Sequence, residues 1–73
     1  MNKFSELLIK KREEKGMLKK EAAKFFGWTA MYYGRFEKGN LLPTKRNIKY
    51  FAKFLEIAES EIMELIKNIK GVK

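Results

Sequence analysis

Four of the five glycines, Gly16, Gly27, Gly39 and Gly71, fall where the helical spacing of apolar residues breaks, and the sole proline, Pro43, follows the third of them. Glycine stops a helix because it accepts a left-handed conformation, and proline because it cannot continue the hydrogen-bond ladder. These breaks divide the chain into five short segments. None of them alternates apolar and polar residues as a strand does. The spacing predicts helices over 5–15, 19–26, 30–38, 45–55 and 59–69, with Ser5, Thr29 and Thr44 as N-caps of the first, third and fourth. Leu8 recurs four residues after Phe4, and Ala22, Ala23 and Phe26 share one side of the second helix. Ile48, Phe51, Ala52 and Leu55 form the apolar set of the fourth; Ile62, Leu65, Ile66 and Ile69 form that of the fifth. The expected fold is all-α: one compact five-helix domain over 1–73, frayed in its tail at 70–73.

Composition narrows the chemistry. The chain has no cysteine and no histidine, which removes disulfides, thiolate zinc sites and Cys- or His-based catalysis together. A chain of 73 residues rarely encloses a substrate, so neither an enzyme nor a metal, cofactor or small-molecule site is expected. No apolar run approaches the roughly 18 residues of a spanning helix, and the charged start "MNKFSELLIKKREEK" does not read as a signal peptide. The expectation is a cytoplasmic protein. Net charge is +8 with a pI near 9.8, a balance that attracts polyanions. The excess is uneven: residues 1–55 hold 14 Lys/Arg against five Glu, whereas 56–73 hold three Lys against four Glu.

The second and third helices meet at a three-residue turn, Gly27-Trp28-Thr29, and small Ala22 and Ala23 permit close approach. That is the sequence form of a helix-turn-helix, over about 19–38. Its second half lies in the aromatic-rich stretch "GWTAMYYGRFEKGN". At 100° per residue, Ala30, Met31, Gly34, Arg35 and Lys38 share an arc of about 140°, and Thr29, Tyr32, Tyr33, Phe36 and Glu37 take the opposite one. On the second arc Tyr33 and Phe36 read as core, with Trp28 under the turn. The first is slim and cationic, which suits a helix entering a DNA major groove. There Ala30 and Met31 would meet thymine methyls and Arg35 would pair with guanine O6 and N7. A merely solvated surface would gain nothing from Met31, or from a glycine at 34 that is about 1 kcal/mol less favourable than alanine in a helix.

At this point the motifs "LLIKKREEKGM", "KKEAAKFFGWT", "YYGRFEKG" followed by Pro43-Thr44, and "FAKFLEI" stand in a joint spacing of Arg12, Gly16, Ala23, Gly27, Thr29, Glu37, Gly39 and Pro43. Over about 4–65 the sequence resembles the phage-repressor/Cro (Xre-like) helix-turn-helix family. The resemblance implies a lambda-repressor-like five-helix bundle, with the helix-turn-helix formed by helices two and three. It implies that Arg12 and Glu37 form an ion pair bracing helix one against helix three. It places Ala30, Met31 and Arg35 at base-facing positions, beside Gly34 on the same arc. Lys19 falls at a helix start that approaches a phosphate, and Thr29 both caps helix three and touches the DNA backbone. Lys38, Asn40, Thr44 and Lys45 fall in the segment that clasps further phosphates; Tyr32 and Arg46 complete that expected set.

Several residues depart from the family pattern. Leu18 stands where a Ser/Thr cap is usual, which predicts a frayed or shifted second helix. Ala22 replaces a leucine and leaves room for Phe25, Phe26 or Tyr33. Glu56 holds a helix end where glycine is common, and the base-facing positions lack Gln, Asn and Ser. The expected function is that of a sequence-specific double-stranded DNA-binding regulator, repressor-like and bacterial or phage-encoded. A homodimer is expected through Met63, Ile66, Ile69 and Val72, unless those residues simply close the monomer core. The alternative is a protein-interaction module, antitoxin-like or adaptor, on the same fold.

Overall fold

The computed structural model describes residues 2–70. In chain order the elements are α1 (Lys3–Glu14), α2 (Lys19–Phe26), α3 (Ala30–Glu37), α4 (Ile48–Leu55) and α5 (Glu59–Lys70), with no strand among the described residues. The all-α expectation holds, and α2, α3 and α5 begin where the pattern put them. Of the tail expected to fray, Lys70 ends α5 and 71–73 lie outside the described residues.

Two helix starts, of α1 and α4, differ from the sequence reading, and the start of α2 lacks the fraying expected at Leu18, each for a capping reason. Ser5 is not the N-cap of α1. Asn2 is: its Oδ1 accepts from the Ser5 N–H at 2.7 Å, while the Asn2 N–H donates to Ser5 Oγ at 2.9 Å. This reciprocal pair satisfies both backbone donors at once, so the helix starts earlier. α2 begins cleanly at Lys19 despite Leu18. The Leu18 N–H donates to Glu21 Oε1 at 2.7 Å, so the carboxylate half of a capping box does the work without the hydroxyl half. α4 starts three residues late. Lys45–Asn47 form a separate turn in which the Thr44 carbonyl accepts from the Asn47 and Ile48 N–H groups at 3.1 and 3.0 Å, and the Thr44 N–H donates to Asn47 Oδ1 at 2.8 Å. Asn47 itself leaves helical geometry at φ −111°, ψ 3°, which separates that turn from the regular helix.

Stops are sharper than starts. Gly16, Gly27 and Gly39 sit at φ +67°, +76° and +83°, conformations that cost an L side chain but not glycine. Glu56 takes the same left-handed position after α4 at φ 61°. Its carboxylate lies 3.2 Å from Lys15 Nζ and 3.7 Å from Lys11 Nζ, and these lysines hold its pKa below the usual value. The pairs are exposed and stabilise little.

The core sits where α1, α3, α4 and α5 converge. Its centre is Phe51, fully buried, with ring centroids of Phe26, Phe36, Phe4 and Trp28 at 4.8, 5.0, 5.1 and 5.6 Å. Ala22 is fully buried, and the aromatic bulk expected near it divides unequally. Tyr33 is buried and Phe26 stacks on it at 5.9 Å, while Phe25 stands half exposed, tilted against Phe54 at 5.3 Å. Phe51→Ala should therefore lower stability by about 3–5 kcal/mol, as expected for a large aromatic lost from a packed core. Urea unfolding followed by circular dichroism checks this, and a loss under about 1 kcal/mol would contradict the central placement of the ring.

Candidate nucleic-acid interface

The turn between α2 and α3 is fixed by its glycine and by its tryptophan. Gly27 reverses the chain, and the Trp28 N–H returns to the Ala23 carbonyl at 2.9 Å. The indole is then held between the Phe26 and Phe36 rings, near-parallel at 12° to each and 4.7 and 5.2 Å away, with Tyr32 edge-on at 4.9 Å. Thr29 Oγ1 accepts from the Tyr32 N–H at 3.1 Å and starts α3. Two short helices are thereby locked at one angle by ring packing.

The back of α3 is buried through Tyr33, Phe36 and Glu37. Glu37 is only 3% exposed, and its charge is compensated from two sides. Its Oε2 accepts from Arg12 Nε and from the Tyr33 hydroxyl, both at 2.6 Å. Arg12 Nη2 reaches Oε1 at 3.4 Å, and Nη1 donates to the Met17 carbonyl at 2.9 Å. One guanidinium thus joins α1, the loop before α2 and α3. The hydrogen bond to Glu37 raises the Arg12 pKa against the opposing effect of burial. Burial first, then the bond to Glu37, pushes the Tyr33 phenol far above its ordinary value. Arg12 is held in this network with its side chain 13% exposed.

The front of α3 carries Ala30, Met31, Arg35 and Lys38, all exposed, with Met31 at 74%. Gly34 has little exposed surface of its own, yet a Cβ built there would meet no atom within 4 Å, so the position opens outward. Two residues leave the arc predicted for them. Thr29 is exposed at the cap, and Tyr32, 37% exposed, lies at the edge between front and core, held by the rim of Trp28 rather than turned inside.

Beside α3 an open groove of about 640 Å³ runs to the start of α4. It brings Tyr32, Thr44, Lys45 and Arg46 together and is floored by Phe26 and Trp28. Lys19, at the exposed first position of α2, does not line it, and neither do exposed Lys38 and Asn40. Sequence reasoning missed Asn47 and Tyr50, which complete the lining. The three-residue spacing of Thr44 and Asn47 signalled a reciprocal turn, and Tyr50 falls off the apolar face of α4.

Charge over this region is one-sided. Between residues 22 and 55 there are seven cations, Lys24, Arg35, Lys38, Lys45, Arg46, Lys49 and Lys53, and one carboxylate, the buried Glu37. The ion pairs among the described residues join Lys11, Arg12 and Lys15 to Glu14, Glu37 and Glu56, so none of the seven is paired. This segregation was legible in the sequence as a missing residue type.

Of the residues expected at a dimer surface, Ile66 and Ile69 are partly buried against the core, Met63 is 53% exposed, and Val72 lies outside the described residues. Among the described residues no group of acidic side chains could hold a metal, and no helix is long and apolar enough to cross a membrane.

A family model described as helix-turn-helix matches residues 8–62. No curated protein and no solved structure matches the chain.

Two predictions come from the network behind α3. Glu37→Gln leaves the Arg12 cation without its counter-charge and should cost about 3 kcal/mol, measured by urea unfolding; a change under about 1 kcal/mol would contradict the bracing role. Tyr33 has a folded pKa raised above its unfolded value, so its contribution is present below about pH 10 and is lost as the pH rises beyond that. The difference in stability between the wild type and Tyr33→Phe should therefore shrink as pH is raised from 9 to 11 in paired unfolding curves. A constant difference would contradict the assignment.

Proposed function

The chain belongs to the helix-turn-helix family of the phage-repressor and Cro type, and on that footing we propose that it is a sequence-specific, double-stranded DNA-binding transcriptional regulator that lays α3 in the major groove. The observation that carries this reading is the stretch from residue 22 to 55, in which all seven cations are exposed, the one carboxylate is buried, and α3 presents a slim face. A polyanion matches that surface, and a major groove admits one helix whose front is low.

In this reading Arg35 pairs with a guanine, Ala30 and Met31 pack on thymine methyls, and Gly34 lets the helix axis come close. Lys19, Thr29, Tyr32, Lys38, Asn40, Thr44, Lys45 and Arg46 position the protein on phosphates. Most of the affinity is then sequence-independent and falls with salt as counterions return to the DNA. A helix of eight residues supplies few base contacts, so a repressor-like homodimer on a two-fold-related site raises specificity, in a bacterial or phage setting and in the cytoplasm. The exposed Met31 would also serve a protein-interaction module, but the unpaired cations around it favour nucleic acid over an apolar partner.

Selection of bound sequences from a random duplex library tests the proposal. A preferred motif is expected, and Arg35→Ala should cost about 1–3 kcal/mol on it with little change on unrelated duplex. Lys19→Ala should weaken both equally and flatten the salt slope by about one. No enrichment, or an Arg35→Ala loss equal on all sequences, would overturn the reading role.

A further inference from the structure

Lys49 and Lys53 have no place in the set assigned above, yet they stand on the same unpaired surface. α4 turns Ile48, Phe51, Phe54 and Leu55 inward, and this leaves Lys49, Tyr50 and Lys53 exposed on its outer side. Lys45, Lys49 and Lys53 follow one another at intervals of four. Lys45 stands in the turn before α4, and the Lys49–Lys53 interval inside the helix advances about 6 Å, under two base-pair steps of a duplex at 3.4 Å each. Lys49 Nζ lies 5.3 Å from the Tyr50 ring centroid, and Tyr50 lines the groove shared with Tyr32 of α3 and with Lys45 and Arg46. The edge of α4 is thus continuous with the front of the helix-turn-helix.

The remaining exposed faces of this chain mix their signs. α1 sets Glu6, Glu13 and Glu14 among its lysines, and α5 sets Glu59, Glu61 and Glu64 before Lys67. α4 has no acid, and Glu56 just beyond it is already held by Lys11 and Lys15. A solvated lysine face is normally interspersed with carboxylates because like charges repel; a row without them points to a partner that supplies the negative charge. A membrane surface would call for large apolar side chains beside the lysines. Among the residues of α4 itself the one exposed aromatic is Tyr50, and half-exposed Phe25 of α2 lies against Phe54, so the vesicle arm of the test carries this distinction.

We propose that the outer edge of α4, through Lys49 and Lys53, continues the Lys45–Arg46 contact as a second, sequence-independent phosphate-binding strip that grips the duplex beside the segment met by α3. It rests on the DNA-binding reading above and extends the contact surface past Arg46, by way of Lys49 and Lys53. Its contribution is to affinity and footprint, not to base choice.

The test uses the full chain and a fluorescein-labelled duplex of mixed sequence, about 30 base pairs long, titrated at KCl concentrations from roughly 50 to 300 mM. The slope of log Kd against log salt is compared for the wild type, K49A/K53A and a control, K3A/K10A, which removes equal charge from α1. The strip predicts a slope reduced by nearly two in K49A/K53A, at about 0.9 per phosphate, and unchanged in the control, with thermal midpoints alike. An unchanged slope in K49A/K53A, with the wild type still binding, overturns the strip and leaves the DNA reading intact. An equal fall in the control also overturns it, by making the effect one of diffuse charge. Failure of the wild type to bind the duplex at any salt removes both proposals. Vesicles containing about 30% phosphatidylserine form the last arm: binding lost in K49A/K53A, with the DNA slope unmoved, would make α4 a membrane face and overturn the strip.

Discussion

A carboxylate buried behind α3 decides which side of that helix meets solvent. Glu37 cannot be charged and dry unless it is fully partnered, and Arg12 and Tyr33 supply the partners at 2.6 Å each. The geometry that satisfies it admits one rotation of α3: Tyr33, Phe36 and Glu37 inward, and Met31 and Arg35 outward. Among the described residues no buried side-chain polar atom is left without a partner. The network's value lies in orientation as much as in stability, since a buried ion pair can be matched energetically by well-packed apolar residues. Apolar residues would not fix the register of the helix as sharply.

Around that pin the chain uses rings where a larger protein would use volume. Phe51 touches four aromatic neighbours, and two of these, Phe26 and Phe36, also stack on Trp28 at the turn. Offset and edge-on ring pairs each add modestly to the burial of their area, and a small domain without cysteine has few other ways to hold an angle between two eight-residue helices. Packing and charge are therefore segregated by face. Aromatic residues fill the space behind the helix-turn-helix, and unpaired cations cover its front and run on along α4.

Much of this was legible in the residues. Glycine at Gly16, Gly27 and Gly39 marked three helix ends because only a positive φ closes the helices there. The inward set of α3 followed from the period of the helix, although Tyr32 fell between faces, where an angular projection cannot say which way a long ring leans. Starts were harder. Ser5, Leu18 and Thr44 were misread because capping is reciprocal: the partner at Asn2, Glu21 or Asn47 decides where the helix begins. Ile66 and Ile69 could have served a partner or the core, and a helical period alone does not choose between them. The groove beside α3 was illegible as a cavity, since it forms between Tyr32 and the Thr44–Asn47 segment, which are distant in sequence, over a floor at Phe26 and Trp28.

The central claim is that one face of α3, fixed from behind, meets a duplex from the front. Amide chemical shifts of the labelled protein, followed while duplex DNA is added, test it most directly. The account predicts that the largest changes fall on Ala30, Met31, Gly34 and Arg35 and on the Thr44–Arg46 turn, with α5 unmoved. Changes confined to α5 around Met63, or none on α3 at DNA concentrations that saturate binding, would contradict it.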